Sequence, residues 1–381
     1  MGDTVLLAAG GTGGHVFPGL ATAAALHDAR PDLEIAFVGT ADRLEARLVP
    51  EAGWPLHTVP AMALRKDLSA LKLPVVLGRA VSATRQLIRQ SDVIAAVCFG
   101  GYTSVPLALA ARTTGTPLVV HEQNAVPGRA NKLASRAAAA VAVTFEQAAD
   151  GFGSTRTVLT GNPVRPGLLP DAAPGEDLVA VRARLRDEAL STFGLRPDRR
   201  TLLVFGGSQG ARQINRALTG AVGRWTRPEE LQVLHATGSR THDETVAAWE
   251  AVEHGGLHVV VEEFISRMDL AYAAADVVVC RAGASSIAEL TALGLPSILV
   301  PYPHATDDHQ TANGRALEAA GGAVVVPDSD MDADRLVATA EPLLHDPTTH
   351  ERVAAAATAF GRPQAAARLA ELVLEVATHD R

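Results

Sequence analysis

Residues 4–15 of the chain read TVLLAAGGTGGH, an apolar run that ends in a glycine-dense loop. The same order returns at residues 202–210, which read LLVFGGSQG. A short apolar run followed by glycines and a hydroxyl residue is typical of a buried strand that turns sharply into a helix. Because this unit occurs once in each half of the chain, we predict two doubly wound α/β domains of similar design.

Short apolar runs alternate with alanine-rich amphipathic segments along nearly the whole length, which predicts parallel sheets covered by helices on both faces. The predicted strands are 4–9, 34–38, 93–97, 118–120 and 141–143, then 202–205, 231–235, 258–261, 277–280, 298–300 and 323–326. We expect an N-terminal Rossmann-like domain over residues 1–163 and a C-terminal one over 164–352. Residues 353–381 are predicted to be helical and to pack back toward the N-terminal domain.

The composition is that of an ordinary globular protein, with 47% hydrophobic and 20% charged residues over 381 positions. A formal net charge of −8 leaves no global basic field for nucleic acid phosphates. The two cysteines lack CxxC spacing, which argues against a disulfide framework or a cysteine zinc site and favours a reducing compartment. No basic leader follows Met1 and no long apolar span occurs, so we expect a cytoplasmic protein.

The first glycine loop, residues 10–15, suits a diphosphate or a developing oxyanion, because the helix that follows it presents free N–H groups. A nicotinamide-binding fingerprint would need glycine where Val16 stands, so that interpretation loses its main support. A tight turn without a ligand remains the alternative. His15, at the helix start, is expected to be neutral and able to accept a proton. In isolation, such a histidine is more often a satisfied polar residue than a catalyst.

Three stretches in the second half offer similar chemistry. Residues 206–211 repeat the glycine loop, and residues 281–289, RAGASSIAE, place small hydroxyl residues at a helix start. Glu289 could bind both hydroxyls of a ribose or merely complement the helix dipole. Residues 304–313 could read sugar hydroxyls or cap a helix, and they complete no metal ligand set. The acidic run 328–334 lacks the glycine and glutamate of a calcium loop and is predicted to cap the next helix.

A basic segment interrupts this acidic chain between residues 64 and 89, where six lysines and arginines stand against Asp67 alone. Leucines and valines are interleaved with them, a pattern that suits an anionic membrane surface. A solvated helix face over the core is the alternative. The predicted membrane-contact residues are Leu64, Arg65, Lys66, Leu68, Leu71 and Lys72.

Seven motifs follow one another along the chain, at residues 10–15, 100–102, 121–124, 161–165, 206–211, 281–289 and 307–313. In this order they resemble the MurG family of undecaprenyl-diphospho-muramoylpentapeptide β-N-acetylglucosaminyltransferases, from about Thr4 to Ala323. The resemblance implies the GT-B fold, in which two Rossmann-like domains face a central cleft. It also implies inverting transfer of N-acetylglucosamine from UDP-N-acetylglucosamine to the C4 hydroxyl of lipid I, forming lipid II for peptidoglycan synthesis and thereby serving cell shape and division.

The same resemblance gives the N-terminal domain the acceptor and the membrane, and the C-terminal domain the donor. Arg165 and Ser208 would contact the diphosphate region, Ile265 the uracil and Gln310 the sugar. His15 is the candidate general base. The implied donor-binding residues are Thr12, Gly13, Gly14, Asn124, Arg165, Ser208, Ile265, Ala284, Ser285, Ser286, Glu289 and Gln310.

No tightly bound metal or other cofactor is expected, so helix N-termini and Arg165 would offset the charge of the leaving diphosphate. The expected partners are UDP-N-acetylglucosamine, lipid I, an anionic phospholipid surface at the cytoplasmic face of the membrane, and cell-wall synthesis or division proteins. Two alternatives share the donor motifs. A UDP-N-acetylglucosamine 2-epimerase would need acid/base carboxylates, and a non-catalytic nucleotide-sugar-binding protein would need nothing like His15. Residues 176–190 look longer than usual for the family and are expected at the surface.

Overall fold

The computed structural model describes residues 2–60, 73–165, 167–168, 176–207 and 210–379. The chain forms two compact units. The first unit comprises Met1–Pro166 and Arg362–Arg381, and the second comprises Gly167–Gly361. Each unit contains one parallel β-sheet, as the alternation of strands and helices predicts.

The sheet of the first unit has seven parallel strands in the order β3-β2-β1-β4-β5-β6-β7 within the described residues. The strands β1 to β7 are Thr4–Ala8, Glu34–Gly39, Leu56–Thr58, Val93–Cys98, Leu118–Glu122, Ala140–Val143 and Thr157–Leu159. The helices α1 to α5 are Gly13–Ala29, Leu44–Glu51, Leu73–Gln90, Ser104–Thr114 and Arg129–Ala134. Central strands are fully buried because helices cover both faces of the sheet.

The sheet of the second unit has six parallel strands in the order β10-β9-β8-β11-β12-β13, again counting the described residues. The strands β8 to β13 are Arg200–Phe205, Leu231–Ala236, His258–Glu262, Val277–Cys280, Ser297–Leu299 and Ala323–Val325. The helices α6 to α14 are Leu178–Arg184, Arg186–Thr192, Arg212–Gly220, His242–Glu250, Met268–Ala274, Ala284–Ala292, His309–Ala319, Ala333–His345 and Pro347–Phe360.

The two sheets share one topology, which locates the candidate site in each unit. In both sheets the first strand of the unit lies between the second and the fourth. Strand β1 lies between β2 and β4, and β8 lies between β9 and β11. The order reverses beside that first strand, and open α/β sheets bind ligands outside the carboxyl ends of the strands at such a point. The loops that follow β1 and β4, and those that follow β8 and β11, contain the glycine motifs.

The chain returns to the first unit through its last helix, α15 (Ala365–His379). Leu369, Leu372 and Val373 of this helix are buried in the core of the first unit. Arg156 binds Glu375 with two hydrogen bonds of 2.7 and 3.1 Å. Gly161 permits the return, because a Cβ atom there would lie 2.4 Å from Cβ of Arg362.

The unit boundaries differ from the ranges expected from sequence. The change of unit falls at Pro166–Gly167. The closing stretch 353–381 is divided between the units, because its residues 353–360 belong to α14 of the second unit and α15 belongs to the first. Helix α1 also begins at Gly13, earlier than its alanine-rich part suggests. The amides of His15 and Val16 already bond to the Thr12 carbonyl, so the helix starts within the glycine loop. No helix among the described residues is long and apolar enough to cross a bilayer.

Each unit buries one histidine in a polar network. His235 lies in β9, where its Nε2 is 3.1 Å from Asn215 Oδ1 and its Nδ1 accepts from Trp249 Nε1 at 3.1 Å. His121 lies at the end of β5, with its Nε2 3.0 Å from the Gly161 carbonyl oxygen. Burial lowers the pKa of His235 to about 3 and that of His121 to about 4.

These two histidines make the free energy of unfolding depend on pH in the acidic range. At pH values between the ordinary histidine pKa, near 6.5, and the lower pKa in the folded protein, the unfolded chain binds protons that the folded chain does not. The free energy of unfolding therefore falls as the pH is lowered through this range. The maximal slope is about 1.4 kcal/mol per pH unit for each histidine.

We expect the midpoint of thermal unfolding to fall steadily between pH 6.5 and about 4.5. His235→Gln should reduce this pH dependence, because glutamine does not titrate, and the exposed His57 provides the control variant His57→Gln. Calorimetry across the pH range measures the effect. If the unfolding midpoint changed equally with pH in wild type and His235→Gln, His235 would have the same pKa in the folded and the unfolded chain, which would contradict this prediction.

Candidate active site

The glycine loop after β1 is shaped by its neighbour after β4. Gly11, Gly100 and Gly101 all have positive φ, at 100°, 100° and 78°. A Cβ atom on Gly101 would lie 2.6 Å from the Gly10 carbonyl oxygen, and one on Gly100 would lie 3.0 Å from Nε2 of His15. Only glycine permits both the backbone conformation and the close approach. The two loops therefore pack together and enclose one edge of the His15 ring.

Both hydrogen-bond partners of the His15 ring lie at Nδ1. Its Nδ1 lies 3.2 Å from the Gly10 carbonyl oxygen and 3.2 Å from the Thr12 hydroxyl. A carbonyl oxygen only accepts, so the bond to Gly10 forms when Nδ1 carries the hydrogen. In neutral imidazole, Nε2 then carries the lone pair and is the nitrogen that can accept a proton. The ring is half-buried.

Glu45 fixes the loop from the side of α2. Its side chain is 1% exposed. Its Oε2 accepts from the Gly11 amide at 2.9 Å, and its Oε1 accepts from the amide and hydroxyl of Thr40 at 3.1 and 2.8 Å. A buried carboxylate with three donors is firmly held. Sequence reasoning missed Glu45, because it lies 34 residues from Gly11 and belongs to no motif.

A second buried carboxylate, Glu122, organises the loop after β5. It accepts from the Asn124 amide at 2.9 Å, from the Gly128 amide at 2.9 Å and from Asn131 Nδ2 at 2.9 Å. The Asn124 side chain also donates to it at 3.3 Å. Burial raises the pKa of Glu122. The structure therefore places Asn124 just after the carboxyl end of β5, where Glu122, two residues earlier, holds it.

Arg165 lies beside the first turns of α1. Its guanidinium carbon is 5.1 Å from the centre of the Phe17 ring, a cation–π contact. The same ring lies 3.1 Å from the position that a Cβ atom on Gly13 would take. The first unit thus brings Thr12, Gly13, Gly14, His15 and Arg165 to one region, the start of α1.

The second unit repeats the glycine loop after β8, with positive φ at Gly207 and Gly210. A Cβ atom on Gly206 would lie 2.4 Å from Cβ of Ala211, so this turn also requires glycine. Ser208, the predicted diphosphate contact, lies outside the described residues.

Helix α11 begins directly after β11, with Gly283 as its N-cap and no side chain capping it. Its first residues are Ala284, Ser285 and Ser286, whose amides face the N-terminal end of the helix. Glu289 is 1% exposed and accepts a hydrogen bond of 2.8 Å from the Tyr272 hydroxyl. One of its two oxygens is therefore oriented by Tyr272, a partner 17 residues away that no sequence motif indicated.

The remaining predicted donor residues differ in what they expose. The Ile265 side chain is 4% exposed, whereas the adjacent Phe264 is 65% exposed. Because its side chain is buried, the groups that Ile265 can offer to a base are those of its backbone. Gln310 is the second residue of α12, and its Oε1 accepts from the Tyr302 amide at 3.0 Å. This bond leaves the Gln310 amide nitrogen as the donor for a sugar hydroxyl.

The acidic run 328–334 divides into two roles. Asp332 is the N-cap of α13 and accepts from the Arg335 amide at 2.8 Å. Asp328 forms an ion pair of 2.6 Å with Arg281, which also donates to the Val300 and Pro301 carbonyls. Among the described residues, no group of three or more histidine, cysteine, aspartate or glutamate side chains could hold a metal ion.

The predicted membrane-contact residues, from Leu64 to Lys72, lie outside the described residues. The basic segment continues into α3, which is described. Ala80, Thr84 and Ile88 are the buried residues of this helix, while Val75 is 59% exposed and Arg79 and Arg89 are exposed.

Models of two protein domains match the chain. Residues 5–143 match the glycosyltransferase family 28 N-terminal domain, and residues 201–369 match its C-terminal domain. Each match includes the central strands and glycine loops of one unit. The fold and both matches define the chain as a GT-B glycosyltransferase of family 28.

Comparison with individual relatives identifies the family within this class of glycosyltransferases. The chain is 44% identical over 374 residues to the UDP-N-acetylglucosamine–N-acetylmuramyl-(pentapeptide) pyrophosphoryl-undecaprenol N-acetylglucosamine transferase of Nocardioides sp. strain JS614, covering 98% of both chains. It is 38% identical to the enzyme of the same name from Desulforudis audaxviator, again covering 98% of each. The chain belongs to this family, the MurG family, as its seven motifs predict.

Solved structures agree. MurG of Acinetobacter baumannii superimposes with a TM-score of 0.77 at 30% identity, covering 98% of this chain and 99% of that one. UDP-GlcNAc 2-epimerase of Neisseria meningitidis, solved bound to UDP-GlcNAc, has a TM-score of 0.69 at 13% identity, covering 98% of this chain and 100% of that one. The second likeness concerns the fold alone, so the comparisons do not favour the epimerase alternative.

The Glu45 contacts yield a direct test of the first loop. In Glu45→Gln an amide N–H₂ replaces one carboxylate oxygen, so at least one of the three donors loses its acceptor. We expect kcat for glycosyl transfer to fall by about tenfold, because a displaced loop misplaces His15. Glu51→Gln, at the exposed end of the same helix, is the control. Unchanged steady-state kinetics in Glu45→Gln would contradict this role.

Proposed function

We propose that this chain transfers N-acetylglucosamine from UDP-N-acetylglucosamine to the C4 hydroxyl of the muramyl sugar in lipid I, with inversion at the anomeric carbon. The observation that carries the proposal is identity of 44% across almost the whole length of a transferase named for this donor and acceptor. The two glycine-loop units and a histidine oriented as a base supply chemistry that such a transfer needs.

In this proposal His15 is the general base. As the acceptor hydroxyl attacks the anomeric carbon, its proton passes to Nε2 of His15, while Nδ1–H keeps its bond to Gly10. The bond between the anomeric carbon and the UDP oxygen breaks in the same step, and UDP leaves with the electron pair. One displacement inverts the anomeric carbon, and no enzyme nucleophile is required.

The leaving UDP carries diphosphate charge, which we propose is offset without a metal. The uncapped N-terminus of α11 offers backbone amides and the positive end of a helix dipole. Arg165 and Ser208 are proposed to add a charge and a hydroxyl donor. Preorganised donors of this kind stabilise a charge that develops in the transition state.

The direct test is to incubate the protein with UDP-N-acetylglucosamine and a short-chain lipid I analogue. The proposal requires both UDP and the disaccharide product to appear in equal amounts. An epimerase would interconvert the donor without acceptor, and a binding protein would produce neither compound. Either of those outcomes would overturn the proposed function.

His15→Ala should lower kcat by about 10²–10⁴, because the acceptor hydroxyl loses its proton acceptor. Affinity for UDP should stay close to wild type. His27→Ala, an exposed residue at the other end of α1, is the matched control. Stopped assays give kcat, and calorimetry gives UDP affinity. A variant that kept its rate, or lost UDP binding and rate together, would remove the base assignment.

Glu289 is proposed to hold the ribose hydroxyls of the donor. Glu289→Ala should raise the donor KM by roughly tenfold or more, as expected for a charge-assisted hydrogen bond of about 1.5–3 kcal/mol. Tyr272→Phe should raise it by less, because it removes only the group that orients Glu289. Initial rates at varied UDP-N-acetylglucosamine measure both effects. A donor KM unchanged in Glu289→Ala would exclude Glu289 from the donor site.

We further propose that the protein works at the cytoplasmic face of the membrane and docks through residues 64–89. An acceptor with an undecaprenyl chain stays in the bilayer, so the enzyme must reach the headgroup plane. Each basic residue near an anionic surface contributes about 1 kcal/mol, and salt screens it. Cell-wall synthesis and division proteins are further proposed partners.

Reversing three charges tests this docking, in the variant Arg65→Glu, Lys66→Glu, Lys72→Glu. Co-sedimentation with phosphatidylglycerol vesicles should fall strongly at low salt, while turnover of a water-soluble acceptor changes little. Reversal of Arg315, Arg335 and Arg352, exposed in the second unit, is the control with the same net charge. Equal sedimentation of wild type and the first variant would make residues 64–89 an ordinary solvated face.

A further inference from the structure

The second unit contains a groove of about 640 Å³ for which the proposed transfer has no use. Four arginines line it: Arg182 and Arg186 from α6 and α7, and Arg199 and Arg200 at the start of β8. Helices α6 and α7 form the charged segment that looks longer than usual for the family. A chain of net charge −8 therefore gathers four guanidinium groups in one concave place.

The carboxylates of this groove already have partners. Asp276 accepts from Arg186 at 2.9 Å through Oδ2 and from Arg200 at 3.2 Å through Oδ1, and Oδ2 also accepts from the Thr201 amide at 2.7 Å. The other two bind arginines from outside the groove, in the pairs Asp198–Arg196 and Glu230–Arg227. The acidic side chains thus do not neutralise all four arginines.

Arg182 and Arg199 carry the remaining charge. Each donates to backbone carbonyls, Arg182 to Ala275 at 3.3 Å and Arg199 to Gly256 at 2.7 Å. In the part of the chain that the structure describes, neither forms an ion pair with a carboxylate, and the buried Nε atom of each has no acceptor. Burial lowers the pKa of Arg182, the negative charge of Asp276 opposes this, and the positive charge of Arg186 lowers the pKa further. An anion would relieve this crowding of positive charge.

The groove is separate from the glycine loops of the same unit. It lies at the amino end of β8, whereas residues 206–210 follow the carboxyl end of that strand. Strand β8 is six residues long, so the two ends are about 17 Å apart. A ligand in the groove therefore does not occupy the proposed donor loops.

We propose that this groove binds a small soluble anion bearing two or more phosphate charges. Arginine presents a planar fork of donors that matches phosphate oxygens, and two of the four arginines here, Arg182 and Arg199, have no carboxylate partner among the described residues. The volume is in the range of sites for nucleotide-sized molecules. The concave shape, with a deep arginine, favours a small ligand over the surface of a bilayer.

Calorimetric titration of the full-length protein with pyrophosphate tests the proposal. No UDP is added, because its diphosphate would compete for the groove, and the groove variants assign the binding to this site. Wild type should bind pyrophosphate, and Arg182→Gln and Arg200→Gln should each weaken binding by roughly tenfold or more. Arg184→Gln is the matched control, because Arg184 lies in α6, is exposed and pairs with Glu176 away from the groove. The titration needs no transferase activity, so it stands or falls apart from the proposed function.

Absence of pyrophosphate binding to wild type at millimolar concentration would overturn the proposal, and so would equal weakening in Arg184→Gln. Thermal melts without ligand show whether each variant folds. If Arg182→Gln does not fold, the test is decided by Arg200→Gln, because Arg200 is half-exposed. The titration is repeated with ADP. Binding of ADP that is tighter than that of pyrophosphate would identify the ligand as a nucleotide, and binding of equal strength would identify it as a simple diphosphate. Binding only to phosphatidylglycerol vesicles, lost in the groove variants, would overturn the proposal in favour of a membrane surface.

Discussion

The hydrogen bond between His15 Nδ1 and the Gly10 carbonyl is the interaction on which the account of catalysis depends. It forms only because the backbone turns back on itself within five residues, a turn that Gly11 permits by its positive φ. The loop after β4 then closes over the ring without side chains, and Glu45 holds the loop from α2. A histidine on a less constrained loop could present either nitrogen.

The two units share one design. In each, a buried first strand runs into a glycine loop beside the point where strand order reverses. In the first unit the helix start carries His15, whereas in the second α11 starts uncapped and carries Glu289 one turn inside. In each unit a partner distant in sequence holds the candidate site in place, Glu45 for the first loop and Tyr272 for Glu289.

Much of the fold could be predicted from sequence, because buried parallel strands are continuous apolar runs. The central strands agree with prediction to within a residue or two, as at β4 and β8. The strands that were missed, β3 and β7, are three-residue edge strands with exposed or half-buried side chains, so they lack that signal.

The candidate site was predictable where its residues stand in motifs. Long-range partners were not, since Glu45 lies outside every motif and Tyr272 sits in an unremarkable helix. The exposure of Phe264 beside the buried Ile265 also depends on tertiary packing rather than on residue type. The roles of the motif residues rest on family membership and remain proposals to be tested.

The most direct test of the central claim is nitrogen NMR of protein labelled with ¹⁵N in its histidine rings, with His15→Gln used to assign the His15 signals. At a pH where His15 is neutral, the account predicts that Nδ1 has the chemical shift of a protonated nitrogen and Nε2 that of an unprotonated one. In Glu45→Gln this preference should weaken toward a mixture of tautomers. A His15 ring protonated at Nε2 in the wild type would contradict the account, because the nitrogen assigned to take the acceptor's proton would already carry one.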